Sequence, residues 1–344
     1  MAETTGTTGT TVTTDSAGPA DMAPIAALAE TADTADTADT AGTADNRTLA
    51  AVGFVLGFAV VISFVDNVVA EIAREVGLWQ FHLMRTVFAM MVYAGLAALP
   101  LALRLRPRRW RPVIARSLAL MAAMLLYFGA LGFLPVAQAA AGLFTAPIFV
   151  LLIGRLAYGH AIGPARVIAA LTGFAGVLMV LEPDPANLSP VLAMPLLAGA
   201  FYALANIATR EWCAGETAAA LTLVYMLCMG LAGALGLAVL WLFDPVVPAG
   251  ANGFLLRGWV WPGGWPVALI AVQALGTMLG VALVIRAYQL AEANRVAIFE
   301  YVLLPCSVFW GWVMWGQQIS GLALAGMVVI VASGAAMAWR GTRG

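Results

Sequence analysis

The amino-acid sequence predicts an all-α polytopic membrane protein with ten transmembrane helices arranged as two inverted five-helix repeats. Three observations predict this fold: the composition, the count of charge-free runs, and a motif that returns in the second half. Of the 344 residues, 62% are hydrophobic and 10% are charged, and the mean hydropathy is +0.92. Soluble domains are about 25% charged, so this composition excludes a soluble enzyme and a nucleic-acid binder.

The N-terminal region, residues 1–47, differs from the rest of the chain. It holds eight acidic side chains before its first arginine, Arg47, and it repeats the triplet Thr-Ala-Asp from residue 31 onward. A segment of this composition has too little apolar surface to offset the entropy lost on ordering. We therefore expect a disordered acidic tail, either a solvated extension or a regulatory or docking segment.

Apolar runs with few or no charges follow the tail, and we count each single run as one span, which needs about 20 mostly apolar residues. Two double-length runs count as two helices each, with breaks expected at 132–135 and 316–320. The resulting ten spans lie at 48–65, 79–103, the two halves of 117–154, 167–181, 185–209, 217–243, 258–285 and the two halves of 301–339. The first repeat is then 48–182 and the second is 183–340.

The arginines predict the orientation, because basic residues concentrate in cytoplasmic loops. The chain has no lysine, and fourteen of its 17 basic residues fall at one set of helix ends, six of them between Arg104 and Arg116. Arg74 and Arg257 fall at the other ends, and Arg85 lies inside the second span. We expect a multi-pass protein of the bacterial inner membrane with both termini in the cytoplasm, which requires an even number of spans.

A motif in the fourth span returns in the ninth. The stretch that ends at Pro147 (Leu-Phe-Thr-Ala-Pro) corresponds to the stretch that ends at Pro305 (Tyr-Val-Leu-Leu-Pro). Each is followed by an apolar run, a turn and a glycine-bearing closing helix. Because each repeat has five helices, the second copy starts on the opposite side of the membrane, which is a recurring plan of secondary transporters.

These features resemble the EamA family of the drug/metabolite transporter superfamily. The hairpin from Asp66 to Arg85 is similar to that family's helix 1–2 region, and with Glu300-Tyr301 it also resembles the branch that includes S-adenosylmethionine uptake proteins. The resemblance implies a secondary active transporter that moves a small organic metabolite by alternating access. The Gly-Glu pair usual in both turns of the family reads Gly159-His160 and Gly316-Gln317 here, so any role of those acids is missing or altered.

Glu300, in the ninth span beside Tyr301, is the first candidate for substrate binding or coupling, because an ionisable group inside a membrane is costly. One interpretation is a proton-coupling or substrate-cation site, with Tyr301 as its neighbour. The alternative is a structural ion pair with Arg85, Arg286 or Arg295.

Arg85 is the second candidate. Its planar guanidinium suits a substrate carboxylate or phosphate, whereas the alternatives are snorkelling to the interface or pairing with Asp66 or Glu71. The remaining binding or coupling candidates are Asp66, Asn67, Gln138, Asn206 and Gln273. Tyr202, Tyr225 and Tyr288 are further polar groups that could face a central cavity, and His82 could titrate.

Motifs for enzymatic or metal chemistry are missing from the sequence: it has no P-loop, no HExxH and no GxSxG. The three cysteines, Cys213, Cys228 and Cys306, are too far apart for a paired metal site. We expect no enzyme activity, cofactor or metal, and a small-molecule substrate, the lipid bilayer and a proton or other coupling ion as partners. The alternatives are a non-transporting sensor or assembly partner that uses the tail, and an intramembrane lipid-modifying enzyme.

Overall fold

The computed structural model describes residues 47–98, 104–130, 140, 142–182, 193–248 and 253–341. These residues form ten helical segments, and no strand occurs among them. The segments are α1 (Arg47–Glu75), α2 (Leu78–Ala98), α3 (Trp110–Ala130), α4 (Ala146–Tyr158), α5 (Pro164–Leu181), α6 (Ala193–Glu211), α7 (Ala218–Phe243), α8 (Gly264–Leu290), α9 (Ala293–Trp315) and α10 (Gly321–Gly341). The predicted all-α class is therefore confirmed for the described part of the chain.

Seven of these helices are long and apolar enough to cross a membrane, judged by length and composition: α1, α2, α3, α5, α7, α8 and α9. Helix α4 and the first 16 residues of α10 are apolar but shorter. Helix α6 does not belong to either group. It carries Asn206, Arg210 and Glu211 near its end, and these polar residues lower the apolar character of the helix.

Two helices begin seven or eight residues earlier than the charge-free runs predicted. Helix α3 begins at Trp110 rather than at residue 117, and α9 begins at Ala293 rather than at Tyr301. A helix can continue through a charged residue when that side chain is buried with a partner or reaches the interface. The predicted break at 316–320 is confirmed, because α9 ends at Trp315 and α10 begins at Gly321, whereas the predicted break at 132–135 lies outside the described residues.

Helices α4 and α9 end with the same geometry. Gly159 follows α4 with a φ of 66°, and Gly316 follows α9 with a φ of 63°. The residue after each glycine donates its backbone N–H to a carbonyl six residues earlier, at 2.9 Å for His160 and 3.3 Å for Gln317. Glycine adopts this left-handed conformation without the steric cost that a Cβ atom brings, so both turns depend on it.

The backbone of α9 is irregular at its most polar point. A 3-10 turn over Glu300–Val302 separates Ala293–Phe299 from Leu303–Trp315. Pro305 follows this turn, and it lacks the N–H that would otherwise bond to the carbonyl four residues earlier. Pro147 stands in the first turn of α4, where proline costs little.

Glycines allow the helices to approach closely, as is common in membrane bundles. Between α5 and α10, a Cβ atom on Gly176 would lie 2.9 Å from the carbonyl oxygen of Gly326. Between α1 and α8, a Cβ atom on Gly276 would lie 2.2 Å from a methyl group of Val65. A side chain at either glycine would therefore push two helices apart.

The other main packing partners are α2 with α7, α3 with α6, and α4 with α6, and side chains also join α1 to α9. Thr86 donates to the carbonyl oxygen of Met226 at 2.9 Å between α2 and α7. Asn67 donates through Nδ2 to the carbonyl oxygen of Ser307 at 3.1 Å between α1 and α9. These contacts leave an interior that holds the polar side chains of the candidate site. The helices that border this interior are α1, α2, α3, α6, α7, α8 and α9.

Candidate functional site

Glu300 is a buried carboxylate that is held by neutral groups. Its side chain is only 7% exposed and projects from the 3-10 turn of α9. The hydroxyl of Tyr288, near the end of α8, donates to Oε1, and Nδ2 of Asn206 on α6 lies 3.5 Å from the same oxygen. The Tyr202 hydroxyl on α6 also interacts with this carboxylate. Three hydrogen-bonding side chains from two helices thus converge on one acid.

The structural ion pairs that the sequence left open for Glu300 are not formed. Among the described residues, no salt bridge includes Glu300. Arg286 donates to Gln289 at 3.1 Å, and Arg295 lies 3.6 Å from Glu292. Arg85 donates instead to Gln273 on α8.

Arg85 is buried on α2, with 2% of its surface exposed, so it does not snorkel to the interface. Its Nη1 donates to Oε1 of Gln273 on α8 at 3.4 Å, and its guanidinium carbon lies 5.2 Å from the ring centroid of Phe81. Asp66, an exposed residue of α1, interacts with it electrostatically but forms no salt bridge with it. The alternative partner Glu71 pairs instead with Arg74, at 2.8 Å.

Two other predicted residues, Asn67 and Tyr301, have different surroundings. Asn67 is half-buried and binds the carbonyl oxygen of Ser63 at 2.8 Å besides that of Ser307. The Tyr301 hydroxyl donates to the carbonyl oxygen of Ala170 at 3.3 Å, so this side chain points toward α5 and away from its neighbour Glu300. Gln138 lies outside the described residues.

A row of polar side chains connects the two buried groups. Tyr225 on α7 interacts with Arg85 and with Arg116 on α3. Arg116 also interacts with Tyr202, which contacts Glu300. The row from Arg85 to Glu300 therefore passes through α2, α7, α3, α6 and α9.

Arg116 corrects the sequence interpretation, which counted it among the loop arginines. It is the seventh residue of α3 and is completely buried. The signal that locates it is Pro112, because proline is favoured in the first turn of a helix and predicts a helix start near Trp110. Arg116 then falls inside the helix.

A cavity of about 1180 Å³ lies at the end of the bundle that holds the α4–α5, α6–α7 and α8–α9 turns. Thr209, one turn beyond Asn206 on α6, and the buried Asn294 line it, so the cavity extends toward the Glu300 group. Its ionisable lining residues are His160, Arg166, Arg210, Glu211, Glu216, Arg286 and Glu292. An ion pair of Arg166 with Glu292 at 3.0 Å and a contact of His160 Nε2 with Glu211 at 3.7 Å join neighbouring turns there.

Comparison with known proteins identifies relatives of this chain. Residues 49–182 match the EamA-like transporter family. A riboflavin transporter of Vibrio cholerae is 29% identical over 291 residues, which are 81% of this chain and 88% of the relative. A riboflavin transporter of Rhizobium johnstonii is 26% identical over 199 residues, which are 58% of this chain and 60% of the relative. An S-adenosylmethionine uptake transporter of Rickettsia bellii is 22% identical, with 73% of this chain and 82% of the relative covered.

A solved crystal structure shares the fold. It is 20% identical in sequence and superposes with a TM-score of 0.63, covering 87% of this chain and 98% of the other. The relatives are named as transporters and not as enzymes, and the apolar helices are those of a multi-pass membrane protein. Over residues 49–182, the chain is therefore similar to the EamA-like transporter family that its sequence resembles.

Proposed function

We propose that this protein is a secondary active transporter that moves a small organic metabolite across the bacterial inner membrane by alternating access, coupled to protons. The observation that carries the proposal is the Glu300 carboxylate, buried without a basic partner among the described residues. A charged carboxylate in such surroundings is costly. Binding of a proton or of a cationic group of the substrate would offset that cost. In either case, the stability of this conformation would depend on whether the site is occupied.

Proton binding at Glu300 would change the hydrogen bonds around it. The carboxylate only accepts, whereas the protonated acid donates one O–H. Tyr288 and Asn206 both point donors at Oε1, so a proton on Oε2 would leave these two hydrogen bonds in place and add an O–H donor that needs an acceptor. The change would then reach the first half of the chain through Tyr202 and Arg116.

The two halves of the transporter, residues 48–182 and 183–340, are proposed to be inverted repeats. Exchanging α1–α5 with α6–α10 turns the α3–α6 contact into α8–α1, and the α4–α6 contact into α9–α1. The same exchange leaves the α2–α7 and α5–α10 contacts unchanged. The matching turns at Gly159 and Gly316 support the same relation.

Ten crossings with both termini in the cytoplasm follow from this repeat and from the arginine distribution. In that orientation the cavity faces the cytoplasm, because the α4–α5, α6–α7 and α8–α9 turns lie on that side. The state described here would then be the inward-facing one.

The proposed substrate is an amphipathic or zwitterionic metabolite. Ligand pockets of about 300–1,000 Å³ hold drug-sized molecules, and a cavity of 1180 Å³ accommodates metabolites of this class. The relatives named for riboflavin and S-adenosylmethionine make these two compounds the first to test. The proposed contact for a substrate group that approaches from the other end of the bundle is Arg85, which interacts with Asp66 and Gln273.

A comparison of metabolites tests this function without assuming a substrate. Cells that express the protein and cells that carry an empty vector are compared for the compounds they retain and release, with riboflavin and S-adenosylmethionine included as standards. We expect one chemical class to change in distribution. Identical metabolite profiles in both strains, under conditions where the protein is present in the membrane, would argue against transport.

A further inference from the structure

Arg116 carries a buried positive charge that is only partly satisfied. Its side chain is 0% exposed, and its Nε donates to Oγ1 of Thr209 at 2.9 Å. Within the described part of the chain, Nη1 and Nη2 have no hydrogen-bond partner, and no salt bridge includes this residue. A buried guanidinium without an anion is unfavourable, so its two terminal amino groups require an acceptor from elsewhere.

The neighbours of Arg116 among the described residues do not neutralise it. The side chains that interact with it electrostatically are Cys213, Tyr225 and Tyr202. Thiols and phenols of ordinary acidity are neutral at pH 7. Snorkelling does not relieve the charge either, since the whole side chain is buried.

The guanidinium is fixed directly behind the cavity wall. Thr209 lines the 1180 Å³ cavity, and its hydroxyl accepts from Arg116 while it donates to the carbonyl oxygen of Ala205 at 2.9 Å. This arrangement fixes the Nε edge and leaves the fork of Nη1 and Nη2 unengaged. Two parallel N–H groups of this kind match the two oxygens of a carboxylate or phosphate.

We propose that Arg116 binds the carboxylate or phosphate group of the transported substrate, with Thr209 as a positioning residue that orients the guanidinium. This inference rests on the proposed transport function, because it treats the cavity as the substrate's path. Arg116 lies on α3, apart from Glu300. The two residues would therefore contact different parts of one ligand.

The test uses the purified full-length protein in detergent and measures its thermal unfolding by tryptophan fluorescence. Sodium acetate and sodium phosphate are titrated separately against sodium chloride at matched ionic strength, and the two series distinguish a carboxylate site from a phosphate site. We expect at least one oxyanion to raise Tm beyond chloride in the wild type. Arg116→Met loses this response, whereas Arg286→Gln, which removes an exposed arginine of the same cavity, keeps it.

Two further readouts separate ligand binding from a structural role. Arg116→Met removes an uncompensated charge, so we expect its Tm without oxyanion to equal or exceed that of the wild type. Arg116→Lys keeps the charge but loses the fork, and we expect its apparent Kd for the oxyanion to weaken by about tenfold. If the methionine variant does not fold, the lysine variant decides, and an unchanged Kd overturns the proposal.

The proposal is also overturned if the wild type shows no rise in Tm specific to oxyanions. This outcome differs from a failure of the transport function, because binding in detergent requires neither flux nor a pH gradient. A transporter that moves its substrate without oxyanion binding would refute the role of Arg116 alone.

Discussion

Replacing Glu300 with glutamine tests whether this carboxylate couples transport to protons. Glutamine has nearly the same shape, and its Oε1 can still accept from Tyr288 and from Asn206, whose Nδ2 lies 3.5 Å away. The contacts of α9 with α8 and α6 should therefore persist. The substitution removes the ability to bind and release a proton, so Glu300→Gln should exchange substrate across the membrane but not accumulate it.

The size of the effect follows from the driving force. If one proton moves with each substrate molecule, a gradient of one pH unit supplies about 1.4 kcal/mol and drives about tenfold accumulation. Glu300→Gln should lower this ratio to about one. Converting a charge-assisted hydrogen bond to a neutral one weakens it by about 1 kcal/mol, while the buried charge is also removed, so we expect the free energy of unfolding to change by at most about 2 kcal/mol.

Proteoliposomes provide the assay, with the substrate identified by the metabolite comparison. Accumulation is measured under an imposed pH gradient, and counterflow without a gradient measures exchange. Glu211→Gln is the matched control, because this exposed acid lines the same cavity and lies 3.7 Å from His160. Accumulation by Glu300→Gln at the wild-type ratio would refute the coupling role, as would a loss of coupling confined to Glu211→Gln.

Three further results are expected. Gly176→Ala should lower Tm, since overpacking costs about 1–3 kcal/mol and the new Cβ would lie 2.9 Å from a carbonyl oxygen of α10; Gly95→Ala, with open space around it, should not lower Tm. Burial raises the pKa of the Cys213 thiol to about 11, so maleimide at pH 7 should label it only after denaturation, whereas an exposed cysteine introduced by Ala214→Cys should react in the folded protein. Deleting residues 1–46 should leave flux unchanged, and loss of flux would favour a regulatory or docking role for the acidic segment.

The helices were predictable because a membrane imposes a simple requirement on sequence. Spans need long apolar runs, and the runs of this chain predicted the all-helical class and the break between α9 and α10. Helix starts were harder to predict, because charge-free runs exclude any helix turn that contains an arginine. Helix α3 begins at Trp110 and contains Arg116, so counting only charge-free residues left out its first two turns.

The rotation of each helix could not be read from the sequence. Helix α9 is apolar on most of its surface, so no polar stripe shows which face is buried. Successive helical residues point about 100° apart, and Glu300 faces Tyr288 and Asn206 while Tyr301 faces Ala170 on α5. The sequence therefore indicated Glu300 and Asn206 as separate candidates, and their convergence on one acid required the packed structure.

The burial of Arg116 could not be predicted from the sequence either. A basic residue near a helix end is usually placed at the membrane surface, and the sequence gives no indication that tertiary packing buries this one against Thr209. The polar row from Arg85 to Glu300 likewise depends on tyrosines of α6 and α7, whose directions are set by packing.

Net flux through the purified protein separates a transporter from a sensor or an assembly partner. The full-length chain is reconstituted as the only protein in liposomes, and movement of the identified metabolite is followed with and without a pH gradient. The transporter account predicts saturable flux that requires the protein and becomes concentrative when the gradient is imposed. Absence of protein-dependent flux under both conditions, from a sample that unfolds cooperatively and is therefore folded, would contradict it.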